Sequence, residues 1–330
     1  MNAIALDEAS LAARLERLDA LKTSIARSVI GQAEVVEQLL IALLAGGHCL
    51  LEGVPGLGKT LLIRSLGQAL KLDFHRIQFT PDLMPSDILG TEVLEEDHGT
   101  GKRVFKFQPG PVFTHLLLAD ELNRTPPKTQ AALLEAMQER TVSTAGQTFE
   151  LPKPFFVLAT QNPLEQAGTY PLPEAQLDRF LLYIRVDYPS LDEEIAILDL
   201  TTGRSGETPP AVMEANELIE LQALTREVHI EPELTRWIAR LVRATRPGVD
   251  APERVNQALR FGAGPRAGQS LVLAAKARAL LQGRLAVTRE DIRAFAKPVL
   301  RHRLLLSFAA EAEGRSTDWV VEGVLDAVAV

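Results

Sequence analysis

The chain has 330 residues, of which 46% are hydrophobic and 24% charged, a composition typical of a globular protein long enough for two domains. The formal net charge of −8 provides no overall positive field to attract DNA or RNA, although a local basic channel stays open as an alternative. The single cysteine, Cys49, excludes a disulfide framework, favours a cytoplasmic setting and has the apolar neighbours of a buried thiol. No apolar run reaches the length of a membrane span, and the amino terminus lacks the pattern of a signal peptide.

The first half of the chain shows an alternation of predicted helices and strands. Helices are predicted over 10–28 and 33–45, where apolar residues recur at helical spacing. Five short apolar strands follow, separated by helices, and this pattern indicates a parallel sheet covered on both faces. The strand sequences are HCLLEG, FHRIQF, THLLLADE, FFVLAT and FLLYIRV.

Two stretches between these strands are predicted to be β-hairpins. Residues 92–113 contain a Gly-Thr-Gly turn between polar arms, and residues 140–151 contain Ala-Gly between two threonine-rich arms. Because both lie between strands of the sheet, we expect them to be insertions that project from the core.

The pattern becomes helical after the sequence DYPS. We therefore predict a core domain over 1–189, including the amino-terminal helix, and an all-α domain over 190–330. Capping boxes are predicted at Ser190 and Thr288, and Asn216 is a candidate N-cap.

The segment GVPGLGKT matches the phosphate-binding pattern G-x-x-x-x-G-K-[ST] in full and lies between a predicted strand and a predicted helix. Glycines allow backbone N–H groups to surround phosphate oxygens, and the helix N-terminus adds partial positive charge. Lys59 is expected to reach the β- and γ-phosphates of ATP, and Thr60 to offer its hydroxyl to Mg²⁺. The predicted nucleotide-binding residues of this loop are Gly53, Val54, Pro55, Gly56, Leu57, Gly58, Lys59 and Thr60.

The strand LLLADE ends in two acids at the edge where open α/β sheets bind ligands. Asp120 is predicted to hold Mg²⁺, and Glu121 to polarise or orient the water that attacks the γ-phosphate. Two solvated acids at a strand end are the alternative, which the phosphate loop weakens. Asn162 follows another strand and could hold the attacking water or the γ-phosphate, but an asparagine before Pro163 is also a turn former.

Four segments together resemble the MoxR family of AAA+ ATPases over nearly the whole chain: GVPGLGKT, LLLADELNRTPPKTQAALLEAMQE, ATQNPLEQAGTYPLPEAQLDRF and RIQFTPDLMPSDILG. The resemblance implies a three-layer αβα P-loop ATPase core with a five-stranded parallel sheet and two β-hairpin inserts, followed by an all-α lid. It also implies a homo-oligomeric ring, usually a hexamer, with nucleotide between neighbours. The implied activity is Mg²⁺-dependent ATP hydrolysis used for chaperone-like remodelling, maturation or activation of partner proteins.

The resemblance also assigns residues outside the phosphate loop and the acid pair. Asn162 matches the first sensor, and Arg266 resembles the second sensor, an arginine at the start of a lid helix that contacts the γ-phosphate. A cation there opposes the helix dipole, so a bound anion would explain it, whereas an ordinary first-turn arginine is the alternative. Gly31 and Gln32 resemble the segment that lies along the adenine.

Arg179, in the stretch PEAQLDRF, resembles the arginine that leaves its own subunit and reaches the γ-phosphate held by a neighbour. Within the stretch itself, a surface charge paired with Asp178 is an equal alternative.

Four polar residues near the site keep two interpretations each. Asp82 and Asp87 could contact a neighbouring copy or cap the helix that follows them. Asn123 and Arg124 could contact the next subunit or begin a loop.

Several functions stay open beside protein remodelling. In the family, a partner with a von Willebrand factor A domain is common; this chain has no room for that domain, so a separate partner is expected. A nucleic-acid motor would need a basic surface, for which the hairpin offers Lys102, Arg103 and Lys106. A magnesium-chelatase motor subunit shares the insert layout, and a nucleotide-gated scaffold would bind ATP without appreciable turnover.

Overall fold

The computed structural model describes residues 8–29, 31–54, 56–96, 103–144, 146–162, 168–202 and 210–329. The helices within them are α1 (Glu8–Ser28), α2 (Ala33–Ala45), α3 (Lys59–Ala69), α4 (Pro85–Leu89), α5 (Pro127–Glu139), α6 (Glu174–Leu177), α7 (Leu191–Thr202), α8 (Ala215–Glu227), α9 (Pro232–Ala244), α10 (Glu253–Ala258), α11 (Pro265–Leu281), α12 (Arg289–Leu300), α13 (Phe308–Ala312) and α14 (Thr317–Ala327). The strands are β1 (Cys49–Gly53), β2 (Phe74–Gln78), β3 (Gly90–Glu96), β4 (Arg103–Pro109), β5 (Leu116–Asp120), β6 (Thr141–Thr144), β7 (Gln147–Glu150), β8 (Phe156–Gln161), β9 (Leu182–Val186), β10 (Leu259–Phe261) and β11 (Leu305–Leu306). Short 3₁₀ helices cover Leu122–Arg124 and Arg301–Arg303.

The central sheet has five parallel strands in the order β2-β5-β8-β1-β9, which confirms the predicted sheet. Its register aligns the carboxyl ends of the strands. Gln78 of β2 lies opposite Asp120 of β5, and Glu52 of β1 lies opposite both Gln161 of β8 and Arg185 of β9. Polar side chains from neighbouring strands are therefore collected along one edge of an otherwise apolar sheet.

Both faces of the sheet are buried, as the continuous apolar strands require. Leu50 belongs to a cluster that includes Leu133 and Leu134 of α5. Cys49 and Leu51 point to the opposite face and belong to a cluster formed with α1, α2, α3 and the carboxyl-terminal helices. Burial raises the pKa of the Cys49 thiol well above its usual range, so this cysteine is a buried small apolar residue, as predicted.

Both predicted insertions form two-stranded antiparallel sheets, β3 with β4 and β6 with β7. The first hairpin leaves the core at Gly90, whose φ of +103° favours glycine. A Cβ at this position would lie 2.3 Å from the backbone oxygen of Gln108, so the close approach of the two strands also requires glycine.

The carboxyl-terminal part of the chain is helical from α7 onward, with one addition. A short antiparallel pair, β10 with β11, joins two connections between helices, and its strands are too short to leave an alternating pattern in the sequence. β9 ends at Val186 and α7 begins at Leu191, so the predicted domain boundary falls in the connection between them, although the division at 189/190 stays a prediction.

The N-termini of the helices show which of the predicted capping residues form caps. The predicted box at Ser190 forms, since its backbone N–H and its hydroxyl both donate to Glu193 Oε2, at 2.8 and 2.9 Å. The box at Thr288 forms as well. The prediction for Asn216 is wrong: α8 begins at Ala215, so Asn216 lies inside the helix. Glu214 is the N-cap, and its N–H donates to Glu217 at 2.9 Å.

Among the helices in the described part of the chain, none is both long enough and apolar enough to cross a membrane.

Candidate active site

The phosphate loop follows β1 and ends at α3. Gly56 (φ +88°) and Gly58 (φ +70°) adopt left-handed conformations, and no atom lies within 4 Å of a Cβ built on either of them. The backbone can therefore curl around an oxyanion without side chains in the way. Leu57 packs against the apolar cluster that contains α3. Pro55 lies outside the described residues.

Gly53 and the segment before α2 fix the position of this loop. A Cβ on Gly53 would lie 2.9 Å from Val186 Cβ, so β1 and β9 are too close there for a side chain. Gln32 Nε2 donates to the backbone oxygen of Leu57 at 2.7 Å. Gly31 (φ +75°) lies against Glu193 of α7, with 2.9 Å between its Cβ position and Glu193 Cβ. Gly31 and Gln32 thus lie beside the phosphate loop, and their contact with adenine stays a prediction.

Lys59 connects the loop with the acid pair. Its Nζ donates to the backbone oxygen of Gly53 at 2.5 Å. Burial lowers the pKa of the Lys59 ammonium, while the nearby carboxylates of Asp120 and Glu121 act in the opposite direction. The ammonium is therefore close enough to both acids to interact with their charges.

Asp120 is held from two sides at the end of β5. Thr160 Oγ1 donates to Oδ1 at 2.6 Å, and Arg76 Nη2 donates to Oδ2 at 2.6 Å. Only 16% of the Asp120 side chain is exposed. The carboxylate thus has a defined orientation at the edge of the sheet.

Glu121 occupies a left-handed conformation, with φ of +57°, which is uncommon for a residue other than glycine. Its N–H donates to Thr160 Oγ1 at 2.9 Å, so one hydroxyl holds both acids. Its Oε2 accepts from Gln78 Nε2 at 2.7 Å and from Arg124 Nη1 at 2.9 Å. These contacts orient the carboxylate and stabilise the strained backbone.

Sequence reasoning missed Thr160, Arg76 and Gln78. The period of two in FHRIQF does place Arg76 and Gln78 on the same face of β2. However, the pairing of β2 with β5 is a property of the strand order, which the local sequence does not contain. Thr160 belongs to an apolar run and reads as an ordinary buried strand residue.

Asn162 lies directly after β8, the strand between β1 and β5, and is 6% exposed. The structure therefore collects Lys59, Asp120, Glu121 and Asn162 at the same edge of the sheet, as the sequence predicts.

Arg266 and Arg179 belong to a different set of contacts. Arg266 is in the first turn of α11, and its Nη1 lies 3.5 Å from Asp178 Oδ2. Asp178 also accepts from Arg303 Nε at 2.7 Å. Within the described part of the chain, the Arg179 side chain forms no hydrogen bond or ion pair with Asp178 or any other residue. This set of contacts lies away from Lys59: residue 181 bonds to His48 before the start of β1, whereas Lys59 bonds to Gly53 at the end of β1.

The four polar residues that were each given two interpretations all have hydrogen-bond partners close in the chain or in the fold. Asp82 accepts from Thr80 Oγ1 at 2.6 Å, and this hydrogen bond lowers the pKa of the Asp82 carboxyl. Asp87 accepts from the backbone N–H of Met84 at 2.8 Å and so caps its own helix, α4. The backbone oxygen of Asn123 accepts from Tyr170 N at 2.6 Å. Arg124, as described above, pairs with Glu121.

The donor set fits Mg²⁺ beside a nucleotide. The described residues contain no group of three or more His, Cys, Asp or Glu side chains that could hold a metal by themselves. Thr60 and Asp120 offer two oxygen ligands next to the phosphate loop, and Mg²⁺ commonly binds with one or two protein ligands while phosphates and water complete its shell.

Comparisons with known proteins decide the family. Residues 48–182 match the ATPase family associated with various cellular activities (AAA), and residues 251–324 match the AAA lid domain. The chain is 44% identical over 324 residues to the chaperone MoxR1 of Mycobacterium tuberculosis, an alignment that covers 97% of this chain and 84% of that protein. The chain belongs to the MoxR family of AAA ATPases.

Other MoxR relatives agree with this assignment. The protein MoxR of Paracoccus denitrificans is 35% identical, with 86% of this chain and 87% of that protein aligned. A crystal structure of a candidate ATPase from Cytophaga hutchinsonii superposes with a TM-score of 0.89 at 40% identity and covers 98% of this chain and 97% of that one. The resemblance to MoxR proteins, the ATPase activity and the core-plus-lid fold are thereby confirmed.

Proposed function

We propose that this MoxR-family ATPase hydrolyses ATP with Mg²⁺ at a site completed by a neighbouring copy in a ring, usually a hexamer in the family. The energy is used for chaperone-like remodelling of other proteins. The observation that carries the proposal is the placement of Lys59 between the phosphate loop and an acid pair held by one buried hydroxyl.

Each residue at the sheet edge then has a role. Lys59 binds the β- and γ-phosphates, and Thr60 and Asp120 hold Mg²⁺, which neutralises phosphate charge when it is bound. Glu121 orients the attacking water, since Gln78 and Arg124 hold one of its two oxygens. Asn162 is positioned as a sensor of the γ-phosphate. Arg266 serves as the second sensor. In that role it leaves Asp178 and contacts the γ-phosphate.

Arg179 is the residue that makes the site depend on a neighbour. It is half-buried, and within the described part of the chain its side chain forms no hydrogen bond or ion pair that would retain it in its own subunit. An arginine supplied in trans is worth roughly 10³–10⁵ in hydrolysis rate in related NTPases. A ring is the arrangement in which every copy can both bind ATP and donate Arg179.

The remodelling role is supported by the name of the mycobacterial relative and by the β3–β4 hairpin. Leu94 and Phe105 lie opposite each other on this hairpin and are 52% and 71% exposed. Exposed apolar side chains of this kind suit contact with a protein client. A separate partner with a von Willebrand factor A domain and a cytoplasmic location belong to the same proposal.

The hairpin gives less support to a nucleic-acid motor. Lys106 pairs with Glu95 at 3.1 Å, and β3 also carries Glu92 and Glu96, so the acidic strand offsets the cations. Lys102 lies outside the described residues. Salt-dependent binding of single-stranded DNA would favour the motor, and absence of binding would argue against it.

The nucleotide chemistry is tested with Glu121→Gln and Lys59→Ala. Glu121→Gln should bind ATP, retain it without hydrolysis and sediment as a ring, whereas Lys59→Ala should not bind ATP. Asp187→Asn, which changes an exposed carboxylate after β9, is the matched control and should hydrolyse ATP like the parent. If Glu121→Gln hydrolyses ATP as fast as the parent, the role of Glu121 is wrong.

A further inference from the structure

Arg303 is a buried arginine with an unusually large set of partners. It lies in the 3₁₀ helix after α12, and 2% of its side chain is exposed. Its Nε donates to Asp178 Oδ1 at 2.7 Å, and its Nη2 donates to the backbone oxygen of Phe180 at 2.7 Å and to Ser270 Oγ at 3.1 Å. Its Nη1 donates to the backbone oxygen of Leu181 at 3.4 Å. One guanidinium therefore binds the core segment on both sides of residue 179.

Asp178 is shared between two arginines of the lid. Arg303 binds Oδ1, and Arg266 lies 3.5 Å from Oδ2. Arg179, although adjacent to Asp178 in the sequence, forms no ion pair with it in the described part of the chain. The backbone N–H of Arg179 donates to Gln176 at 3.1 Å, so its main chain is held while its side chain is not.

Helix α11 contacts the Asp178–Arg303 pair through two residues. Arg266 and Ser270 lie one turn apart on α11, and one approaches Asp178 while the other binds Arg303. Arg303 is buried, so loss of its Asp178 partner would leave an uncompensated charge, and its hydrogen bond to Ser270 fixes the guanidinium against α11.

We infer that Asp178 and Arg303 are positioning residues that set where Arg179 is presented to the neighbouring copy. This inference rests on the proposed role of Arg179 in trans. The segment 178–181 precedes β9, whose first residue, Leu182, lies opposite Cys49 at the start of β1. Arg179 therefore lies at the edge of the sheet opposite the phosphate loop of its own subunit, as an arginine donated to a neighbouring copy requires.

The test uses Asp178→Asn in the full chain, because asparagine keeps the shape and removes the charge that Arg303 and Arg266 share. We expect kcat for ATP hydrolysis to fall about 10- to 100-fold, as for a misplaced catalytic group. The KM for ATP should stay within about threefold of the parent, since the phosphate loop is unchanged.

Asp318→Asn is the matched control for the loss of an ion pair between a partly buried aspartate and an arginine of the same 3₁₀ helix. Arg301 begins the 3₁₀ helix that also contains Arg303, and it binds both oxygens of Asp318 at 3.0 Å each. This pair does not contact residue 179. This variant should lower the melting temperature about as much as Asp178→Asn does and keep kcat within about threefold of the parent. An equal loss of kcat in both variants would overturn the inference.

Rings that contain two kinds of subunit distinguish a misplaced Arg179 from general damage to the variant subunit. Lys59→Ala subunits cannot bind ATP but carry an intact Arg179, so adding them to Asp178→Asn subunits should restore hydrolysis above the sum of the two. No restoration would overturn the inference. A parallel mixture with Arg179→Ala tests the proposed function itself. If Arg179→Ala hydrolyses ATP normally, the trans role fails; if it is inactive and restored while Asp178→Asn is as active as the parent, only the present inference fails.

Discussion

Thr160 offers a sharp test of how the acid pair is positioned. It is 1% exposed in β8, and its hydroxyl donates to Asp120 Oδ1 at 2.6 Å and accepts from Glu121 N–H at 2.9 Å. Thr160→Val keeps the shape of the side chain and removes both hydrogen bonds. The N–H of Glu121 then loses its partner, and Asp120 loses one of the two groups that orient it.

The magnitude follows from the two bonds. A hydrogen bond to a charged group contributes about 1.5–3 kcal/mol and a neutral one about 1 kcal/mol, so we expect the free energy of unfolding to fall by about 2–4 kcal/mol. At roughly 2–4 °C per kcal/mol, the melting temperature should drop by about 5–10 °C. Since the acids themselves lose their support, kcat for ATP hydrolysis should fall at least about tenfold, the equivalent of about 1.4 kcal/mol in the barrier.

The assay is steady-state ATP hydrolysis beside a thermal melt, with two companion variants. Thr160→Ser keeps the hydroxyl and should hydrolyse ATP within about threefold of the parent. Thr225→Val removes an equally buried hydroxyl that bonds only to the backbone oxygen of Leu221 in α8, and it should leave kcat unchanged. A Thr160→Val protein that hydrolyses ATP at the parent's rate would show that this hydroxyl does not position the acids.

Two further predictions concern stability. Burial lowers the pKa of His48 to about 4, so between pH 6.5 and 4 the unfolded chain binds a proton that the folded protein does not. The free energy of unfolding should therefore fall by about 2 kcal/mol more for the parent than for His48→Gln between pH 7 and pH 5, and equal losses in urea titrations would refute this. Asp291 is fully buried and binds Arg278 at 2.6 Å and Arg284 at 2.7 Å, so Asp291→Ala should cost about 3–5 kcal/mol in a urea titration. Glu290→Ala, at an exposed neighbouring position, should cost less than about 0.5 kcal/mol, and equal costs would contradict the burial argument.

Features that depend on residues close together in the sequence could be predicted from it. The phosphate loop requires glycines and Lys59 within eight residues, and the acids require only an apolar run before Asp120 and Glu121. Continuous apolar strands separated by helices indicate a parallel sheet because each strand must be buried on both faces. These features were therefore predictable, and the structure collects them at one edge.

The remaining contacts depend on which elements become neighbours. Arg76 reaches Asp120 only because β2 pairs with β5, and Arg303 reaches Asp178 across 125 positions of the chain. No local pattern contains either pairing. The Asn216 prediction failed because α8 begins at Ala215, with the backbone N–H of Glu214 held by Glu217, so Asn216 lies inside the first turn.

The central claim is that each ATP site is completed by Arg179 of a neighbouring copy. The direct measurement is ATP hydrolysis by Arg179→Ala, by Lys59→Ala and by an equimolar mixture of the two. Each variant alone should be nearly inactive, because one lacks the donated arginine and the other cannot bind ATP. In a randomly mixed ring, about one interface in four pairs an intact Lys59 with an intact Arg179, so the mixture should regain up to about a quarter of the parent's activity. A mixture no more active than its parts, or an Arg179→Ala protein with normal hydrolysis, would contradict the account.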